Sequence, residues 1–111
     1  MNGQDLFLDM QAKTALLDKA LGELGRRGRI YAEYERDYRI ALRQEILLER
    51  DKGTPVTIIS DICRGKSEIA LKRFQRDLAE SVYKAAFEAV NVYKLEINIL
   101  REQIDREWHR E

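Results

Sequence analysis

The stretch Ala85–Leu100, AAFEAVNVYKLEINIL, decides how this chain must fold. Its charged and amide side chains are Glu88, Asn91, Lys94, Glu96 and Asn98. At 3.6 residues per turn, Glu88, Asn91, Lys94 and Asn98 fall along one side of a helix, and almost everything else around the cylinder is apolar. Val90, Tyr93, Ile97 and Leu100 are enough to pack against one neighbouring helix. Ala85, Ala89, Val92, Leu95 and Ile99 drift off that line and form a second candidate face. Burying a large aliphatic side chain is worth about 1.5–3 kcal/mol, so a second face left in water wastes stability and invites aggregation. The reading is a helix that packs against its own chain on one side and against a second copy or a partner on the other.

Working outward, the same periodicity runs from about 67 to 109 through Leu71, Phe74, Leu78, Val82, Ala86, Val90, Tyr93, Ile97, Leu100, Ile104 and Trp108. Upstream, a helix is expected over about 4–52. Met10, Leu17, Leu24, Tyr31 and Tyr38 recur there in strict sevens, flanked by Leu21, Tyr34, Leu42 and Ile46. Gly22, Gly25 and Gly28 interrupt it at a cost of about 1 kcal/mol each relative to alanine, which makes a break within 22–29 credible, although a mostly continuous helix is favoured.

Residues 53–66 form the connector, which carries the only proline and two of the six glycines. Gly53 suits a left-handed helix end and Pro55 cannot continue a helix. Val56–Ile59 reads as extended, Ser60–Arg64 as one short turn, and Ser67 as the next N-cap. The expected fold is all-α: a single domain built as a long antiparallel helical hairpin, coiled-coil-like, assembling into a helical-bundle dimer or larger oligomer. Matching large residues to small ones across the seam places Tyr38 near Ala79, Tyr31 near Ala86, Gly25 near Val92, Leu17 near Leu100, and Met10 near Glu107 and Trp108. The competing arrangement folds residues 4–24 back to cover the second face within one chain.

Composition narrows the chemistry. Among 111 residues, 20 basic and 20 acidic side chains cancel, so no global field recruits nucleic acid or an anionic membrane. One cysteine, Cys63, and one histidine, His109, provide neither a disulfide nor a zinc pair, and the expectation is a non-enzymatic protein without cofactor or metal. Cys63 reads as a small buried residue. The N-terminus MNGQDLFLDM lacks the features of a signal peptide and no apolar run spans a bilayer, so a cytoplasmic protein without membrane contact is expected.

Gly22, Gly25 and Gly28 lack the strand and Gly-Lys-Ser/Thr context of a phosphate loop. Tyr31, Tyr34, Tyr38, Tyr83 and Tyr93 sit at helical spacing and read as seam residues rather than a base-stacking platform. Three groups are candidates for recognition. Val56, Ile58, Ile59 and Ile62 in the connector could dock a partner protein. Arg64, Lys66, Lys72 and Arg73, with Arg76 nearby, could touch phosphate or a nucleic-acid backbone. Arg26, Arg27 and Arg29 could hold an anion at a subunit interface.

From YAEYERDYRIAL at Tyr31 through GTPVTIISDICRGKSEIALKRFQRDLAESVYKAAFEAVNVYKLEINILREQIDREW, the chain resembles a group of small proteins encoded by temperate phages and prophages of Gram-positive bacteria. The most specific part joins Gly53-Thr54-Pro55-Val56-Thr57 to Asp61-Ile62-Cys63-Arg64-Gly65, with alanine more usual in the group than Cys63. The resemblance implies action inside an infected or lysogenic host cell. The leading expectation is therefore a phage accessory protein that binds another protein, such as a host or defence factor, as a helical oligomer. The alternative is a nucleic-acid-binding accessory in replication or recombination.

Overall fold

The computed structural model describes residues 3–110, which form three helices: α1 (Gly3–Asp51), α2 (Val56–Arg64) and α3 (Ser67–His109). No strand occurs among the described residues. α1 is continuous for 49 residues through all three glycines. It ends where the chain adopts a left-handed conformation at Gly53, with φ 85°. The Gly53 N–H donates to the Arg50 carbonyl at 3.0 Å and the Thr54 N–H to the Glu49 carbonyl at 3.1 Å, so the last carbonyls of the helix are satisfied by a Schellman motif.

The connector differs from its sequence reading. Val56–Arg64 is one helix of nine residues, not an extended run followed by a turn. Pro55 precedes its first residue and cannot donate a backbone N–H, which a helix start does not require, and its carbonyl accepts from Ile58 at 3.2 Å. Ile59 and Cys63, one turn apart, are both buried, and this packing overrides the β-branched preference of the segment. α3 then begins with the Lys66 carbonyl accepting from the Ala70 N–H at 2.8 Å.

The chain resolves into two compact units, each containing parts of α1 and α3. One contains residues up to Arg26 and from Lys84 onward; the other contains Arg27–Tyr83, including α2. In the second unit, Lys66 binds Glu45 and Glu49 at 2.7 and 2.6 Å, Arg76 binds Glu35 at 3.2 Å, and Tyr31 stacks on Tyr83 with ring centroids 5.9 Å apart. In the first unit Lys13 pairs with Glu96 at 2.7 Å, and Leu6 and Leu100 line one recess. These contacts depart from the register expected from side-chain size, by about one helical turn at Tyr31 and by two to three turns in the first unit. Tyr31 meets Tyr83 rather than Ala86, and Leu100 lies by Leu6 rather than Leu17. Size matching tolerates a slip by whole turns, whereas a charged seam residue does not, because the slip would strand it without its counter-ion.

The inward stripe of α3 also departs from expectation. Side chains withdrawn from solvent recur in sevens as Ile69, Arg76, Tyr83, Val90, Ile97 and Ile104, and as Lys72, Ala79, Ala86, Tyr93, Leu100 and Glu107. Leu71, Phe74 and Leu78, expected in the seam, are 56%, 62% and 56% exposed. Arg76 takes an inward place because its guanidinium lies 4.6 Å from the centre of the Tyr38 ring and is paired to Glu35 and Asp77. On α1 the sevens Met10, Leu17, Leu24, Tyr31 and Tyr38 are all at least half-buried, whereas Leu21 and Tyr34 are exposed. Gly28 makes a closer approach than Gly22 or Gly25: a Cβ there would lie 3.1 Å from Tyr83 Cε1, so the ring would have to give by a few tenths of an ångström.

Candidate functional site

Three surfaces bear on function. On α3, Ala85, Ala89, Val92, Leu95 and Ile99 are all exposed, with Leu95 at 60%. Residues 3–24 lie within the continuous helix α1, where Leu16, Lys19, Ala20 and Glu23 border a recess with Ala89, yet all five side chains of this α3 face remain exposed. In the second unit Leu71, Phe74 and Leu78 are exposed in the same way. A helix whose inward sevens already pack against its own chain has no internal use for these residues.

At α2 the candidate docking group divides. Val56, Ile58 and Ile62 are exposed, whereas Ile59 is only 6% exposed and cannot meet a partner. The i, i+4 pair Ile59 and Cys63 supplies the inward face of α2, and Cys63 is fully buried. A buried thiol in this setting is a packing group.

The candidate phosphate group divides too. The Lys66 ammonium donates to both Glu45 and Glu49, and Glu49, 8% exposed, also accepts from the Thr54 hydroxyl at 2.7 Å. Lys66 and Thr54 hold the Glu49 carboxyl down to about 2, and the two carboxylates push Lys66 up. Lys66 is thus a structural ion whose charge is neutralised within the unit. Lys72 is half-buried on the inward stripe of α3.

Arg64 and Arg73, by contrast, come together with Arg76, which the sequence reading placed nearby, and with Arg39, which it did not group with them. Arg39, Arg64, Arg73 and Arg76 line a recess of about 500 Å³ with Glu35, Tyr38 and Leu42. Glu35 accepts from Arg39 at 2.5 Å and from Arg76 at 3.2 Å, and these hydrogen bonds, Arg39's the stronger influence, lower its carboxyl below the usual range. Arg76 also donates to Asp77 at 2.8 Å. Arg73 approaches Asp77 only to 4.0 Å, and Arg64 has no hydrogen-bond or ion-pair partner among the described residues. The grouping could have been found in the sequence only with the register in hand, because Arg39 and Arg76 are separated by 37 positions.

Of the candidate group Arg26, Arg27 and Arg29, Arg26 pairs with Glu23 one turn away, Arg27 lines a recess with Ile30, Tyr34 and Leu78, and Arg29 is exposed. His109 is exposed near the end of α3, with Nδ1 2.9 Å from the Asp105 carbonyl. Among the described residues, no three His, Cys, Asp or Glu side chains are placed to hold a metal ion, and no helix is long and apolar enough to cross a membrane. No family model, curated protein or solved structure matches this chain.

Proposed function

We propose that this protein is a non-catalytic helical hairpin that works as an assembly, pairing with a second copy through the exposed face of α3. The observation that carries this reading is the exposure of Ala85, Ala89, Val92, Leu95 and Ile99 on a helix whose inward stripe is already occupied. The face is self-complementary. With two copies of α3 antiparallel and Val92 on the two-fold axis, Ala85 of one lies opposite Ile99 of the other, and Ala89 opposite Leu95. Ile99 and Leu95 then each meet an alanine and Val92 meets its own copy, a large-to-small match suited to close packing across a two-fold interface. On the resemblance to phage-encoded proteins, we take this action to occur in a bacterial host, where the assembly modulates a host or defence factor by binding it. Val56, Ile58 and Ile62 are the apolar residues such a protein partner would meet.

Light scattering over a dilution series tests the assembly. The expected result is a dimer or larger species that the exposed-face double substitution V92E/L95E converts to monomer with helical content unchanged by circular dichroism. A wild-type chain that is monomeric throughout, or a mass that the double substitution leaves unaltered, refutes the α3 interface.

A further inference from the structure

We infer that the recess lined by Arg39, Arg64, Arg73 and Arg76 is a binding site for a phosphate group. Four arginines line the recess with one carboxylate, Glu35, and Asp77 pairs with Arg76 beside it, so the group carries two positive charges in excess. The four divide into two pairs. Arg39 and Arg76 are fixed by Glu35, and Arg76 is further held against the Tyr38 ring and by Asp77. Arg64 and Arg73 retain their donors: Arg64 has no partner among the described residues, and Arg73 stands 4.0 Å from a carboxylate that Arg76 already engages.

The chemistry selects phosphate. A guanidinium presents paired N–H groups in a planar fork, and two such forks lining one recess suit the several oxygens of a tetrahedral dianion better than those of a single carboxylate. A volume of about 500 Å³ accommodates a phosphate and the group that carries it. The site is local and the chain has no net charge, so recognition rests on these donors and not on a long-range field. The phosphate could be carried by a small molecule or a nucleic-acid strand, and both present the same oxygens.

Calorimetric titration with pyrophosphate at constant ionic strength tests the site. One site per chain is expected. R64A/R73A should weaken it at least tenfold, R64K/R73K should fall between because lysine keeps the charge without the fork, and R101A in the other unit should bind as wild type. Both key positions are exposed, and circular dichroism verifies that the variants are folded. Parallel titrations with a mononucleotide and a single-stranded oligonucleotide separate the two sources. Equal or tighter mononucleotide binding assigns a small phosphorylated ligand, whereas tighter oligonucleotide binding that is lost in R64A/R73A assigns a strand. Absence of pyrophosphate binding at millimolar concentration, or binding that R64A/R73A leaves intact, overturns the site.

Discussion

At the scale of single residues, the glycines of α1 have different roles although they share one spacing. Nothing lies within 4 Å of a Cβ placed at Gly22 or Gly25, so alanine there adds helix propensity without a clash. G22A and G25A should each stabilise by about 0.5–1 kcal/mol, read as a rise of a few degrees in Tm. G28A brings a methyl to 3.1 Å from the Tyr83 ring, and the gain should shrink or reverse as the Tyr31–Tyr83 stack shifts. An equal rise for all three would mean that Tyr83 does not sit against Gly28. Gly53, at φ 85°, has no such freedom, and G53A should cost about 1 kcal/mol.

At the scale of elements, α3 carries two stripes that composition does not distinguish. Ile69 is 2% exposed and Leu71 56%. I69A should therefore destabilise by about 2–5 kcal/mol in chemical denaturation, as expected for a large-to-small change in a core. L71A should lie near zero in the monomer, and the reverse order would place the seam where sequence periodicity alone put it.

The junction of the three helices is held by Glu45, Glu49, Thr54 and Lys66. The Glu49 carboxyl is depressed from 4.5 to about 2, so its contribution is complete above about pH 4.5 and lost as pH falls towards 2. Lys66 is raised, so its contribution persists through this range and disappears only in strong alkali. Stability of the wild-type chain should fall steeply between pH 4.5 and 2, and E49Q should flatten that limb while lowering stability at pH 7. A wild-type acid limb identical to that of E49Q would show that Glu49 is not held as described.

At the scale of the whole molecule, the proposed assembly couples folding to concentration. If the exposed residues of α3 are covered by a second copy, Tm should rise with protein concentration, because association stabilises the folded chain by mass action. V92E/L95E should abolish this dependence and leave a single Tm. A Tm that never moves with concentration would count against self-association even if an aggregate were seen by scattering.

Several features followed from the sequence alone. The all-helical character, the end of α1 near Gly53, the α1 sevens from Met10 to Tyr38 and the two-faced nature of Ala85–Leu100 all rest on local periodicity and backbone chemistry, which neighbours in the chain determine. Other features required the tertiary structure. The register, the exposure of Leu71, Phe74 and Leu78, the helical form of Val56–Ile59 and the union of Arg39 with Arg64, Arg73 and Arg76 depend on which residues meet across tens of positions. Apolar spacing shows that a helix has an inside but does not choose between two apolar stripes. That choice was made by paired charges such as Arg76 with Glu35 and Lys66 with Glu49, whose burial is tolerable only where the counter-ion is within reach.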